Sequence, residues 1–172
     1  MPTNTPPPPG TPPVMPLGHA LVVTLVALVL IVGFALIGLA LNLVPVYAGF
    51  LLLWYWTSVG QSDLRALAPA VIGACAGIGM SYLLQAGTEA GSMPQIYGAL
   101  ALMIVALFLV IAGRLPLVCN GSTMLYITVF NGSVIQEHED FRKVALATLL
   151  GLVWFGATIA LLARLAPKPA AD

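Results

Sequence analysis

A chain of 172 residues that is 60% hydrophobic and 7% charged, with a mean hydropathy of +1.02, cannot clothe itself in a polar surface, since soluble domains are typically ~25% charged. Much of its exterior is therefore expected to meet lipid. Six basic residues against six acidic ones give zero formal net charge, which leaves no basic footprint for nucleic acid.

Residues 1–16, MPTNTPPPPGTPPVMP, hold eight of the fourteen prolines, whose fixed φ and missing N–H groups exclude helix and sheet. A disordered, proline-rich tail is expected there, followed by a single transmembrane helical domain over residues 17–166 and a short C-terminal tail over 167–172. The first apolar span runs from Leu17 to Leu43, long enough to cross ~30 Å of hydrocarbon with some tilt. His19 stands at its start, either as an interfacial side chain or at the mouth of a pathway. Pro45 disfavours helix at Val44 and makes Asn42 to Pro45 a connector.

The second segment, Val46 to Val59, would reach only about 21 Å as helix, so it is tilted, re-entrant or extended by its connector. Its Trp54-Tyr55-Trp56 cluster fits an aromatic belt at headgroup depth or, with Trp54 and Trp56, the mouth of a pathway. Ser62 and Asp63 suit the N-cap of a third span, from about Leu67 to Ala86, with a kink expected at Pro69. Within it Gly73-x-x-x-Gly77 offers a small-residue packing face to a neighbouring helix or to a second subunit.

Ser92 and Pro94 announce the fourth span, Ile96 to Ala112, and Gly113 ends it in the C′ position. The fifth segment, Leu115 to Ile135, is apolar but carries Asn120, Ser122, Thr123, Thr128, Asn131 and Ser133. Buried amides and hydroxyls find no water in hydrocarbon, so they must face helices, a cavity or a backbone break. As one continuous helix the segment would put Asn120 and Asn131 on one face, roughly 16 Å apart. Asn120-Gly121 and Asn131-Gly132 are also turn dipeptides, and a half-helix between them would build the kind of intramembrane site that transporters use.

Next, the run QEHEDFRK brings Glu137, His138, Glu139 and Asp140 together, but consecutive residues do not converge on one ion, so a solvated loop is expected and no metal site. The last span, Val144 to Leu165, carries Gly151 and Gly156 as a second small-residue packing face. Cys75 and Cys119 lie inside apolar segments as small hydrophobes, which argues against a disulfide framework. If all six segments cross, Arg65, Arg114, Arg164 and Lys168 share the side of both termini against Arg142 and Lys143 opposite, which puts the termini in the cytoplasm.

The stretch VYAGFLLLWYWTSVGQSDLRALAPAVIGACAGIGMSYLLQAG, the segment VCNGSTMLYITVFNG and the Gly-containing last span resemble the bacterial domain-of-unknown-function 1097 family over about residues 20–165. The Ala48-Gly49-Phe50 start of the aromatic segment and the small-residue third span carry the likeness, while Cys119-Asn120-Gly121 stands where members have Pro-Gly. The resemblance implies a small multi-pass inner-membrane protein and supplies no activity. A short segment beside a polar half-helix is also similar in outline to one half of urea-type channels.

The sequence is thus read as an all-α integral membrane protein of five or six transmembrane or partly re-entrant helices, oligomeric through its Gly-rich faces. No charge lies deep in any span, which favours passage of a small uncharged solute across a bacterial inner membrane over ion-coupled pumping. Asn120, Gly121, Ser122, Thr123, Thr128, Asn131, Gly132 and Ser133 are expected to line the pathway, with no catalytic residue, metal or cofactor. The alternative is a structural or accessory subunit whose polar stripe docks another membrane protein.

Overall fold

The computed structural model describes residues 16–165. Residues 1–15 of the expected N-terminal tail and the whole of the C-terminal one lie outside the described residues, as does the side chain of His19. Seven helices follow one another: α1 (Leu17–Ala40), α2 (Tyr47–Ser58), α3 (Leu64–Glu89), α4 (Met93–Ile111), α5 (Gly121–Phe130), α6 (Ser133–His138) and α7 (Phe141–Leu165). No strand occurs among the described residues. Within them Ala20–Ala40, Leu64–Glu89, Met93–Ile111 and Phe141–Leu161 are long and apolar enough to cross a membrane.

The chain divides into a unit ending at Gly33 and a unit beginning at Phe34. In the first, the early turns of α1 expose Leu21, Val22, Leu25 and Val29, and Thr24 folds its hydroxyl back onto the carbonyl of Ala20 at 2.8 Å. Such a surface suits lipid far better than water.

In the second unit, α3 is the element against which the others are laid. Asp63 caps it, accepting the Arg65 amide at 2.9 Å, and Gly91 at φ +62 closes it with the bonds Gly91 N–H to Thr88 and Ser92 N–H to Gly87. Gly113 closes α4 in the same way, its φ of +63 letting Arg114 reach back to the carbonyl of Leu109 at 2.8 Å. After α1 the same turn is made by Asn42 at φ 56, the residue type that most often stands in for glycine there.

Helix α4 runs back along α3, with Met80 clustered with Met103, Ala106 and Cys119. Helix α7 also runs antiparallel to α3, from Phe141 beside Tyr82 to Gly156 beside Leu67. The aromatic trio Phe34, Phe50 and Phe155, with ring centroids 4.9 to 6.0 Å apart, locks the end of α1 to α2 and α7. Gly49 and Gly151 let α2 and α7 meet backbone to backbone: a Cβ on Gly151 would stand 2.7 Å from the Gly49 Cα.

The expected small-residue faces are therefore real packing faces, but they are occupied within one chain. Gly73 and Gly77 receive α5, Gly151 receives α2, and Gly156 makes only an ordinary contact with Leu67.

Candidate functional site

The fifth apolar segment does not form one helix. Leu115 turns the chain at φ 52, a costly value for a branched side chain, and residues 114–120 stay irregular until α5 begins at Gly121. Asn131 and Gly132 break it again before α6. Both Asn-Gly pairs are thus backbone breaks, and the single-stripe arrangement of Asn120 and Asn131 does not exist. Between the breaks lie 10 residues of helix, about 15 Å long.

Helix α5 runs parallel to α3 and antiparallel to α2, with Asn120 beside Gly73, Tyr126 beside Gly77 and Gly121 beside Tyr55. Asn120 is its N-cap: Oδ1 accepts the Ser122 amide at 2.9 Å and the Thr123 amide at 3.4 Å, and the Thr123 hydroxyl accepts the Asn120 amide at 3.2 Å. The other half of the same amide crosses to α3. Nδ2 donates to the carbonyl of Pro69 at 2.9 Å and to that of Pro116 at 3.0 Å.

The hydroxyls of α5 follow the same pattern. Ser122 donates to the carbonyl of Ala70 at 2.7 Å, Tyr126 to that of Ala48 at 2.6 Å, and Thr123 to that of Val118. Ser122, Thr123, Tyr126 and Phe130 are all 0% exposed, so the seam between α3 and α5 is closed over this length.

At each end of the seam a cavity opens. One of about 460 Å³ lies at the end holding Asp63 and is lined by Tyr55, Val59, Gly60, Pro69, Pro116 and Asn120. The other, about 430 Å³, lies at the end holding Glu139 and is lined by Gln85, Thr88, Glu89, Ser133, Gln136 and Glu137. Gln85 and Gln136 tie this second end together. The Gln85 side chain donates to the carbonyls of Gln136 and Glu139 at 2.8 and 3.1 Å, and the Gln136 side chain to those of Phe130 and Ser81 at 2.7 and 3.1 Å.

Of the eight residues expected to line a pathway, Asn120 and Ser133 line cavities, at opposite ends. Ser122 and Thr123 are buried in the seam between them, while Gly121 and Gly132 are exposed at the helix ends. Asn131 turns its amide to the Met103 sulfur at 3.2 Å, against α4. Thr128 is exposed and bonds only the Met124 carbonyl of its own helix, at 2.8 Å.

Neither tryptophan stands at a mouth. Trp54 is 58% exposed on the outer face, and Trp56 is 1% exposed with its indole N–H on the carbonyl of Asp63 at 2.7 Å. Tyr55, one residue along and so about 100° around the helix from each, faces the cavity instead. Sequence reasoning missed Tyr55, Gln85 and Gln136; Gln85 lay unremarked near the end of the third span, and Gln136 in a run read as a solvated loop.

These roles separate in substitution. Tyr126→Phe removes an interhelical hydrogen bond and is expected to lower stability by about 1 kcal/mol. Thr128→Val should leave it within about 0.5 kcal/mol. Denaturation by SDS titrated into detergent micelles reads both. Among the described residues no group of three His, Cys, Asp or Glu side chains could hold a metal ion. No protein-family model, curated protein or solved structure matches the chain.

Proposed function

We propose that the chain is a multi-pass integral membrane protein that passes a small, polar, uncharged solute, with α5 as a plug between two cavities. The observation that carries this reading is the double break: a polar half-helix, cut at both Asn-Gly pairs, with a cavity against each end of its seam with α3. Irregular backbone inside a membrane-embedded fold is tolerated where it is buried in protein or lines a cavity, and here it does both.

The solute class follows from the lining. Ser122, Thr123 and Tyr126 offer hydroxyls along the seam, and of the two cavities the far one alone has carboxylates, Glu89 and Glu137, among its described lining residues. Opening means sliding α5 off its stitches to Pro69, Ala70 and Ala48. Three interhelical bonds at about 0.6–2 kcal/mol each hold a closed state firmly while leaving a minor open population within thermal reach.

In this proposal α2 and the α5–α6 pair each complete a crossing, which gives six passes. The end with Arg65, Arg114, Arg164 and Lys168 then faces the cytoplasm, because its four basic residues outnumber Arg142 and Lys143 at the opposite end. A bacterial inner membrane is the location that the family resemblance implies.

The second reading is an accessory subunit without transport. It draws on the closed seam and on the bare outer face of α4, where Tyr97, Ile104, Phe108 and Ile111 are 66 to 77% exposed. Stopped-flow light scattering on liposomes holding the full chain separates the two. Shrinkage and re-swelling with urea, acetamide or glycerol should run several-fold faster than in empty liposomes for at least one solute. Equal rates across the panel remove the conduit and leave the accessory role.

A further inference from the structure

Away from the seam, a groove of about 330 Å³ runs between α3 and α7. Small residues hold it open: Cys75 and Gly79 on α3 and Ala145 on α7 line it, and a Cβ built on Gly79 would meet nothing within 4 Å. Cys75, Gly79 and Tyr82 stand at i, i+4 and i+7, one stripe of α3 about 10 Å long. The groove ends among Tyr82, Phe141 and Arg142, at the first residues of α7.

Among the described residues Arg142 is the only charged side chain lining it. It is exposed, and its guanidinium has no partner among those residues; its backbone N–H is engaged by the Asp140 carboxylate at 2.9 Å. Asp140 is thereby turned to the helix start, and Lys143 adds a second basic group beside Arg142. An apolar trough with an unpaired cation and a phenol at one end has the polarity of an amphiphile.

We propose that this groove seats one acyl chain of an anionic phospholipid, with the lipid phosphodiester on Arg142 and within reach of the Tyr82 hydroxyl. A guanidinium gives a phosphate two donors in one plane, and helix-lined basic pockets at the membrane boundary bind acidic headgroups in this manner. The proposal puts Tyr82 and Phe141, with ring centroids 6.3 Å apart, at the headgroup level, where aromatic rings are favoured. The site does not depend on whether the seam conducts.

Native mass spectrometry of the full chain tests it, with phosphatidylglycerol and phosphatidylcholine of the same acyl chains offered at equal concentration. Wild-type protein should retain one phosphatidylglycerol in preference to phosphatidylcholine by about fivefold, the effect of one basic side chain at a membrane surface. Arg142→Gln should bring the two lipids to parity, while Arg164→Gln at the opposite end leaves the preference intact. Gly79→Leu fills the trough and should lower retention of both lipids. A wild-type protein without preference, an Arg142→Gln protein that keeps it, or a Gly79→Leu protein that retains lipid as before overturns the proposal. So does a dimer peak, in place of the lipid adduct, that Gly79→Leu abolishes.

Discussion

Gly77→Ala is expected to lower the stability of the folded protein by about 2 kcal/mol, the ordinary cost of overpacking a filled interface. Gly79→Ala, two positions along the same helix, is expected to raise it by up to about 1 kcal/mol through helix propensity alone. The two substitutions are chemically identical, so the difference between them isolates the neighbour. At Gly77 the new Cβ would lie 2.7 Å from the Tyr126 Cβ and 2.8 Å from the Thr123 carbonyl oxygen.

Neither of those atoms is the free end of a flexible chain, so α5 has to move as a body. Such a shift strains the Ser122 bond to Ala70 and the Tyr126 bond to Ala48. At Gly73 the new Cβ would instead meet the end of the Asn120 side chain, so Gly73→Ala is expected to displace that side chain and its bond to Pro69 rather than move α5 as a body. SDS titration of the variants in one detergent measures the order. Equal midpoints for the Gly77 and Gly79 variants would show that α5 is not seated on α3 as described.

That contrast also marks where the sequence could be read and where it could not. Residues with local work were legible: Asp63 as a cap, Gly113 as the C′ turn, and the two Asn-Gly pairs as places where a helix could break, whereas the capping role of Asn120 was not read. Each acts through backbone bonds within a few residues, so its signal lies beside it in the chain. The receiver of the Gly73-x-x-x-Gly77 face was not legible. A small-residue stripe says that something comes close, and only the tertiary arrangement shows that α5 of the same chain does so.

The hydroxyls show the same limit from the other side. Ser122 and Thr123 read as pathway lining because a hydroxyl in an apolar run needs a partner. The partners turned out to be backbone carbonyls, that of Ala70 lying fifty-two residues away in sequence. Rotation about a short helix is equally invisible. The Trp54-Tyr55-Trp56 run locates an aromatic patch, but which ring meets the cavity depends on the orientation of α2, which Gly49 and its contact with Gly151 set.

Asn120→Asp is expected to cost more than Asn120→Ala, the reverse of what a simple helix cap would show. Aspartate and asparagine cap helices about equally well, and replacing either by alanine costs about 1 kcal/mol on that account. Here the side chain works in two directions. Its oxygen serves the amides of Ser122 and Thr123, while its nitrogen faces the carbonyl oxygens of Pro69 and Pro116 at 2.9 and 3.0 Å. Alanine removes cap and crosslink together, for a loss of about 2–3 kcal/mol. Aspartate keeps the cap but aims a half-buried carboxylate oxygen at two carbonyl dipoles, and replacing two hydrogen bonds by this repulsion costs about 3 kcal/mol or more. SDS titration of the three proteins gives the order directly, and an aspartate variant as stable as wild type would reduce Asn120 to a cap and leave α5 unanchored to α3. The alanine variant also reaches the function. If α5 is the plug, loss of the Pro69 stitch raises the open population, so liposomes holding Asn120→Ala should pass the conducted solute faster than those holding wild type, although the protein is less stable.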